Sequence, residues 1–359
     1  MVRVLWVSSE TPDRNGQGGQ RRQFHQIREL TARGHDITVL VPRSAQNAAA
    51  LREVATVRRM RFALLGVALA PLFRRASALV RSPQWDAIVL SHVESAWLIP
   101  RGVQAPVLLD VHNVLSYWHS THGRDLEAAA ARSAEAEALT IATGVMTCSA
   151  TELRRLAQVH PDVLAGREAF VAPLGIDPDE WPAVDYRRDS PRVAMFGSWD
   201  WAPNAAGLEW FGSYVWPTVR RHLPDAEAHV AGSGVDPAML PDGMQFVGRV
   251  PDLAGFTASA TVVAVPVRDG VGASVKFAES LATGAAVIAT TDGANAFDSP
   301  PAVVSDSADA WAEWIVQKLE HRGQERAPHP ARAVALQEFT WSGSVAPIDA
   351  WLRSHSRDG

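Results

Sequence analysis

The residues that could do chemistry are concentrated in GVGASVKFAESLATGAAVIATT, residues 270–291. Two glycines, Gly270 and Gly272, precede a helix-like pattern that carries Lys276 and Glu279. Of the 34 basic residues in the chain, only Lys276 and Lys318 are lysine. A cation in the first turn of a helix opposes the helix dipole. The lysine at this position therefore indicates a partner that carries negative charge.

A phosphate group would be such a partner. Glycines let backbone N–H groups approach a phosphate closely, and the start of a helix beyond a parallel strand attracts anions. Ser274 adds a hydroxyl, and a compact ammonium suits a point contact to phosphate. Glu279, one turn on, could accept hydrogen bonds from ribose hydroxyls. The alternative is a surface Lys–Glu pair, which would stabilise the helix by only about 0.2–0.5 kcal/mol.

A second candidate is His112, which follows the short apolar run PVLLDV. Its imidazole could transfer a proton or hydrogen-bond a hydroxyl near neutral pH. His119 and His122 follow in YWHSTH, but two histidines without a carboxylate or a further ligand make a weak metal motif. We therefore predict no metal site.

A glycine-containing loop forms the third candidate. Gly16, Gly18 and Gly19 separate the first apolar run from a helix-like pattern in which Phe24, Ile27 and Leu30 share one face. At the carboxyl edge of a parallel sheet, the amides of such a loop would contact a phosphate or an acceptor. The alternative is a turn that merely connects two elements.

The elements that must position these residues alternate between strand and helix along the whole chain. Apolar runs at 2–8, 36–41, 85–92, 106–112, 144–149 and 170–177 are separated by helical patterns. A second series at 192–197, 227–232, 244–248, 260–267 and 286–290 follows a Pro- and Asp-rich linker at 178–190. This alternation predicts an α/β fold with two doubly wound, Rossmann-like domains.

The composition excludes several classes of protein. A length of 359 residues favours two domains, and 47% hydrophobic residues are enough for two cores. The net charge of −5 gives no reason to expect nucleic acid as a partner. One cysteine, Cys148, allows no intrachain disulfide. The chain shows no signal peptide, and its longest apolar run is too short to span a bilayer, so we expect a cytoplasmic protein.

One segment could still contact a membrane. Residues 58–81 are basic and apolar, which would suit weak peripheral binding to an anionic membrane surface. The alternative is a core helix flanked by arginines whose stems lie along the protein surface. The sequence does not indicate an oligomeric state.

Together these motifs resemble a GT-B glycosyltransferase, and specifically the retaining group called glycosyltransferase family 4. The resemblance covers most of the chain. The segments that carry it are the loop and helix from 11 to 40, DVHN at 110–113, APLGID at 172–177, FGSWDWAPNAAGLEWF at 196–211, VGRVPDL at 247–253, and GVGASVKFAESLATGAAVIAT at 270–290.

The resemblance implies an acceptor-side domain at 1–180, a donor-side domain at 181–338 and a segment at 339–359 that crosses back to the first domain. The donor would lie in a cleft between the domains. It would be a nucleoside diphosphate sugar (UDP-, GDP- or dTDP-), with no cofactor and no metal required. The acceptor would be a glycan, a lipid-linked sugar or a small molecule.

Residue roles follow from the resemblance. His112 and Lys276 would be the catalytic residues, and Glu279 would bind the ribose. Three further sets are expected around them. The diphosphate would contact Gly18, Gly19, Gly272, Ala273, Ser274 and Lys276; the sugar or acceptor would lie near Gly16, Asn113, Gly197, Ser198 and Trp199; and the nucleobase would lie near Arg249 and Val250.

The chain also departs from the family pattern. A first glutamate would fall at Val271, Leu174 stands where asparagine is usual, and GSWDWAPN lacks the usual Arg and Lys. Positive charge near the diphosphate is therefore expected to be sparse, with Arg249 or Arg268 as possible helpers of Lys276. A non-catalytic sugar- or nucleotide-binding protein on a degenerate scaffold is the main alternative, and a sugar-nucleotide epimerase is a third.

Overall fold

The computed structural model describes residues 1–42, 48–60, 78–181, 190–270, 272–297, 299–323 and 328–355. The chain divides into two compact units. The first comprises residues 1–173 together with 341–359, and the second comprises residues 174–340.

The first unit is built on a seven-stranded sheet in which every neighbouring pair is parallel. Its order is β3-β2-β1-β4-β5-β6-β7, so the direction of strand addition reverses between β1 and β4. The strands are β1 (Arg3–Ser8), β2 (Asp36–Val41), β3 (Thr56–Arg59), β4 (Ala87–Ser91), β5 (Val107–Val111), β6 (Gly144–Thr147) and β7 (Glu168–Val171).

Helices cover this sheet. The first of them begins after Gln17, whose capping box with Gln20 satisfies backbone groups at its start. It buries Phe24, Ile27 and Leu30 at helical spacing, as the sequence predicts. The helices are α1 (Gly18–Ala32), α2 (Ala49–Val54), α3 (Leu115–Thr121), α4 (Asp125–Ile141), α5 (Ala150–Val159) and α6 (Pro161–Leu164), with a 3-10 helix at Val93–Leu98.

The second unit has a six-stranded parallel sheet in the order β10-β9-β8-β11-β12-β13. Here the direction reverses between β8 and β11. The strands are β8 (Arg192–Ser198), β9 (Glu227–Ser233), β10 (Met244–Gly248), β11 (Val262–Val265), β12 (Ala286–Ala289) and β13 (Val303–Val304).

The helices of the second unit enclose two apolar clusters, one on each face of the sheet. A π-helical segment, Phe211–Val215, joins two of them into one long element. The helices are α7 (Ala202–Trp210), α8 (Trp216–His222), α9 (Leu253–Ala258), α10 (Val275–Ala282), α11 (Ala308–Glu320) and α12 (Ala331–Glu338), with 3-10 helices at Pro178–Glu180 and Pro237–Met239.

The last helix, α13 (Trp341–Ser354), belongs to the first unit. Its Trp351 is 1% exposed and packs in the apolar cluster that also holds Trp6 from β1. The Ser344 hydroxyl donates a hydrogen bond to the Pro173 carbonyl. Arg33, at the end of α1, donates to an Asp349 carboxylate oxygen at 3.2 Å. Apolar burial and polar contacts therefore hold this helix against the first sheet.

The two parallel sheets confirm the predicted α/β fold class. Some elements were not predicted, including β3 and α3, because short segments give too few residues for a periodicity. The helices α7 and α8 and the π segment between them form one continuous element. Residues 61–77 of the basic apolar segment, most of the linker and Val271 lie outside the described residues. Within the described ranges, no helix is both long and apolar enough to cross a membrane.

Candidate functional site

Lys276 lies in the first turn of α10, as predicted, but its surroundings come from β8 and α7. Its Nζ donates a hydrogen bond to Asn204 Oδ1 at 2.7 Å and lies 5.3 Å from the centroid of the Trp199 ring. A Cβ at Gly197 would lie 2.8 Å from Nζ, so the glycine leaves room for the ammonium. The structure thus brings the predicted residues Gly197, Trp199 and Lys276 together.

The groups around Lys276 are themselves fixed. Asn204 donates from Nδ2 to the Ser198 carbonyl at 2.7 Å. Trp199 is buried, and its Nε1 donates to the Ala231 carbonyl at 2.9 Å. Trp199 was predicted to lie near a sugar or acceptor, and its ring also lies close to the Lys276 ammonium. Asn204 was not singled out, because an Asn in the first turn of a helix gives no signal of its distant partner.

The electrostatics of Lys276 are unusual for a lysine. In the described part of the chain, no carboxylate lies within ion-pair distance of its ammonium. Burial lowers the pKa of Lys276 to about 7, and the charge of Glu279 only partly opposes that effect. When Lys276 is charged, the contacts of its ammonium among the described residues are therefore a neutral amide and an aromatic ring. A bound anionic ligand would give this ammonium the ion-pair partner that it lacks.

The start of α10 offers further anion contacts. Ser274 is the N-cap residue, but its hydroxyl makes no capping hydrogen bond. Its Oγ is buried and finds no partner among the described residues. The first N–H groups of a helix lack intrahelical acceptors and carry partial positive charge. Gly272, at a φ of +78°, leads the chain into this turn through Ala273. A hydroxyl from Ser274, the first backbone amides of α10 and the ammonium of Lys276 thus occur within five residues of the chain.

Other predicted donor residues are placed differently. Glu279 is 2% exposed, on the buried side of α10. Arg249 is exposed beyond the end of the edge strand β10, and Val250 packs against an apolar cluster. The Arg268 guanidinium lies 4.9 Å from the centroid of the Trp210 ring. No contact joins Lys276 to either arginine among the described residues, so their suggested help to Lys276 is not seen.

In the first unit, His112 follows the carboxyl end of β5 and is 8% exposed. Its Nε2 lies 3.0 Å from an Asp110 carboxylate oxygen and 3.1 Å from Ser91 Oγ. Asp110 is fully buried and forms an ion pair with Arg22, which also donates to the Ala172 carbonyl at 2.9 Å. These contacts fix the imidazole in one orientation.

The pKa shifts define the protonation of this cluster. Burial alone would raise the pKa of Asp110, but the charges of Arg22 and His112 bring it well below its usual value. Burial and the charge of His92 lower the pKa of His112 to about 4, against the opposing effect of Asp110. At neutral pH the imidazole is therefore uncharged. Since a carboxylate can only accept, the ring proton lies on Nε2, and Nδ1 is left as an acceptor.

Two residues beside His112 were missed by the sequence analysis. The His92 ring stacks on that of His112 with centroids 3.7 Å apart, and its Nε2 lies 2.8 Å from Glu10 Oε1. Gln23 also donates to Glu10 Oε1 at 2.8 Å. A signal existed, because Glu10 and His92 are polar residues directly beyond apolar strand runs. Only the strand order shows that β1, β4 and β5 are neighbours.

The glycine loop before α1 contains three residues that were predicted to contact a ligand, and their surroundings differ. Gly16 is half-buried and donates to the Asp13 carbonyl at 3.1 Å, while Gly18 is exposed. A Cβ at Gly19 would lie 3.2 Å from His112 Nδ1 and 3.1 Å from Glu10 Oε1. A carboxylate so close to this helix start weighs against the predicted diphosphate contacts at Gly18 and Gly19, which remain predictions.

The remaining candidates contribute little geometry. Asn113 is half-buried beside His112. His122 Nδ1 lies 2.7 Å from the Trp118 carbonyl, and the rings of His119 and His122 pack against Trp118. Among the residues described, no group of three His, Cys, Asp or Glu side chains is arranged to hold a metal ion.

Two family models match the chain in sequence. Residues 16–180 match the model described as Glycosyltransferase Family 4, and residues 190–321 match the model described as Glycosyl transferases group 1. The two matches meet near the division between the units and together include most of the described residues. A comparison with curated protein sequences finds no significant match.

Solved structures show the same fold across the whole chain. A sucrose-phosphate synthase from Thermosynechococcus elongatus matches with a TM-score of 0.74 and 16% identity, covering 99% of each chain. Anabaena HepE, solved in complex with UDP and glucose, matches with a TM-score of 0.72 and 16% identity, covering 99% of this chain and 100% of HepE. A Rickettsia africae glycosyltransferase matches with a TM-score of 0.69 and 12% identity, covering 100% and 99%. At these identities the likeness shows the fold.

Proposed function

The chain is a glycosyltransferase of the GT-B fold and the family 4 type, and we propose that it transfers a hexose from a nucleoside diphosphate sugar to an acceptor hydroxyl with retention of configuration. The family matches favour this enzyme over the non-catalytic alternative.

The observation that carries the proposal is the environment of Lys276. The half-buried Lys276 contacts Asn204 and the Trp199 ring with its ammonium. Two residues earlier, at the start of the same helix, the Ser274 hydroxyl has no partner among the described residues. A diphosphate would supply the missing negative charge. It would also accept hydrogen bonds from the ammonium, the hydroxyl and the first backbone amides of α10. An ammonium in a partly desolvated site interacts more strongly with such an anion than one in water.

UDP is the first nucleotide to consider. HepE, which shares the fold, was solved with UDP, with UDP-glucose and with UDP and glucose. GDP- and dTDP-sugars are the other candidates from the sequence. Glu279 remains the proposed ribose contact, and Arg249 and Val250 remain the proposed neighbours of the base.

In the proposed reaction the bond between the sugar C1 and the diphosphate oxygen breaks, and a bond from C1 to the acceptor oxygen forms on the same face. The acceptor's proton passes to the leaving phosphate oxygen. Lys276, Ser274 Oγ and the first amides of α10 stabilise the charge that develops on the diphosphate. The protein itself supplies the positive charge and the hydrogen-bond donors that offset this negative charge, so we propose that no metal is required.

We propose that His112 contributes a hydrogen bond rather than a proton. Its pKa of about 4 keeps the imidazole neutral at pH 7, and Nδ1 can accept a bond from a sugar hydroxyl. The acceptor is proposed to be a glycan, a lipid-linked sugar or a small molecule that presents such a hydroxyl.

The test is a transfer assay with UDP-, GDP- and dTDP-sugars against a panel of monosaccharide and lipid-linked acceptors. Release of nucleoside diphosphate and the anomeric coupling constant of the product, read by proton NMR, report the reaction and its stereochemistry. We expect one donor class, the same anomer in product and donor, and a Lys276→Ala variant slower by about 100- to 1,000-fold. Inversion, or undiminished turnover by the variant, would contradict the proposal.

A further inference from the structure

The two lysines of the chain lie at opposite ends of their helices. Lys276 lies in the first turn of α10, where the helix dipole opposes a cation, and Lys318 lies in the last turn of α11, where the dipole favours one. Both residues are half-buried, and each ammonium lies near a tryptophan ring. The chain therefore contains its own comparison between a lysine whose charge is opposed and one whose charge is favoured.

The surroundings of Lys276 favour its neutral amine. Its Nζ contacts Asn204 Oδ1 and the Trp199 ring, and no carboxylate among the described residues lies within ion-pair distance. An amide oxygen accepts a hydrogen bond from a neutral amine as well as from an ammonium, whereas burial penalises only the ammonium. A desolvated neutral lysine is a nucleophile. Lys276 is therefore placed to react with an electrophile that reaches it.

The protonation of Lys276 agrees with this geometry. Burial lowers the pKa of Lys276 to about 7, and the charge of Glu279 opposes that effect only in part. At pH 8 about nine-tenths of this side chain is then the neutral amine, whereas an ordinary lysine, with a pKa of about 10.4, is almost entirely protonated. Lysine amines in the neutral form attack activated acyl groups and become amides.

Groups that suit a phosphate lie beside this amine. The Ser274 Oγ is buried and has no partner among the described residues, and the first N–H groups of α10 have no intrahelical acceptor. In an acyl phosphate, the carbonyl carbon is joined directly to a phosphate oxygen. A phosphate bound at the start of α10 would therefore bring that carbon close to Lys276. An acyl thioester, whose acyl group is not attached to phosphate, would gain no such placement.

We propose that Lys276 is a modification site at which an acyl phosphate acylates the enzyme and thereby prevents donor binding. The Nζ lone pair attacks the acyl carbon, a C–N bond forms, and the bond from that carbon to the phosphate oxygen breaks. Phosphate leaves with the electron pair and takes up the proton that Nζ loses. The amide product carries no positive charge, so it cannot form an ion pair with a diphosphate. This regulation rests on the proposed function, which supplies the diphosphate contact.

Acetyl phosphate is the probe, and mass spectrometry after timed exposure of the full chain measures acetylation at each lysine. At pH 8 we expect Lys276 to react at least about tenfold faster than Lys318. The rate at Lys276 should level off above pH 8, because its amine is then already neutral. One of UDP, GDP and dTDP at millimolar concentration should protect Lys276 and not Lys318. Equal rates at the two lysines, or no protection by any nucleotide, would overturn the proposal.

Two variants test the geometry of the site. Ser274→Ala should slow acetylation of Lys276 by acetyl phosphate about fivefold and leave its reaction with p-nitrophenyl acetate, which carries no phosphate, unchanged. Asn204→Asp supplies a carboxylate that favours the charged form of Nζ, so it should slow both reagents about tenfold at pH 8. Lys318 should react alike in all three proteins. If either variant acetylates Lys276 as fast as wild type does, the proposed site is wrong.

Lys318→Arg is the matched control for the effect on activity, since it leaves Lys276 as the only lysine. This variant should transfer sugar like wild type and should lose activity in proportion to acetylation at Lys276. If the enzyme transfers sugar but its two lysines react equally, only the modification is wrong. If Lys276 is acetylated first and transfer continues undiminished, both the regulation and the diphosphate contact are wrong. If wild type turns over no donor, the proposed function fails, and the acetylation rates still test the site.

Discussion

Half-buried Lys276 and buried His112 lack different kinds of partner. Lys276 has a neutral amide and an aromatic ring around it, whereas His112 is held by Asp110 and Ser91 through Nε2. The lysine is completed by an anion and the imidazole by a hydrogen-bond donor. A sugar nucleotide offers both groups in one molecule, a diphosphate and several hydroxyls.

The sequence pointed to both residues for different reasons. Lys276 stood out because lysine is rare in this chain and because a cation at a helix start is unfavourable. His112 was found at a predicted strand end. Asn204 could not be found in this way, because its partner Lys276 is 72 residues away. Glu10 and His92 also follow strands, but only the order of the strands makes them neighbours of His112.

The pH dependence of donor binding follows from Lys276. Its pKa is about 7 in the free protein, and a bound diphosphate favours the charged form and raises that pKa. The complex then holds more protons than the free protein above pH 7. Affinity should be greatest below pH 7 and should fall by up to tenfold per unit as the pH rises above it.

Titration calorimetry with a UDP-sugar from pH 6 to 9 checks this dependence, since a nucleotide sugar has no terminal phosphate proton to lose in that range. Proton uptake, seen as a heat that varies with the buffer, is expected at pH 8. An affinity that is flat over the whole range would mean that Lys276 does not contact the diphosphate.

Asn204→Asp is the sharpest change at the lysine. The aspartate would give the ammonium the ion-pair partner that it lacks and would also repel a diphosphate. We expect nucleotide affinity to fall at least tenfold. The new ion pair would stabilise the free protein, whereas the loss of the hydrogen bond from Asn204 Nδ2 to the Ser198 carbonyl would destabilise it. Calorimetry and thermal unfolding measure the two effects. Tighter nucleotide binding by this variant would contradict the assignment of the anion site.

At the scale of elements, periodicity predicted most strands and the longer helices. Runs of apolar residues bounded by glycine or polar residues gave β10 with the bounds that the structure shows. The helix predicted after Gly272 begins at Val275, because the glycine loop continues through Ser274. The docking of α13 depends on packing between distant segments, which periodicity alone does not specify.

The contact between α13 and β6 yields a double-mutant prediction. A Cβ at Gly144 would lie 2.5 Å from Trp351 Nε1 and 2.9 Å from Cε2, and the ring of a phenylalanine is smaller than this indole. Gly144→Ala should lower the free energy of unfolding by about 1–3 kcal/mol. Combined with Trp351→Phe, it should cost at least about 0.5 kcal/mol less than the sum of the single changes. Urea unfolding measures all three variants, and strict additivity would show that the contact does not constrain the packing.

At the scale of the molecule, the chain consists of two units with their own cores, and the first is completed by the last helix. The sequence predicted the α/β class and the duplication, because both follow from the alternation of strands and helices. The family matches divide the chain at nearly the same place.

The Trp351→Ala variant tests whether the stability of the first unit and nucleotide binding by the second are independent. Removing this 1% exposed side chain should cost the first unit about 3–5 kcal/mol, while Lys276 and its contacts lie in the second. We expect thermal unfolding of the first unit at lower temperature and a nucleotide dissociation constant within about threefold of wild type. A complete loss of nucleotide binding in a folded variant would show that the first unit makes an essential part of the donor site.

The central claim is that Lys276 binds the diphosphate of a nucleotide sugar, and thermal stability measures it most directly. Lys318, the other lysine, lies 5.9 Å from the centroid of the Trp314 ring, so Lys318→Ala matches Lys276→Ala in residue type and aromatic contact. Wild type, both variants and a panel of UDP, GDP, dTDP and their sugars would be compared. At about 100 times the dissociation constant, a ligand should stabilise wild type by about 2.7 kcal/mol. The account predicts that one nucleotide stabilises wild type and Lys318→Ala but not Lys276→Ala. Equal stabilisation of all three proteins, or of none at millimolar ligand, would contradict it.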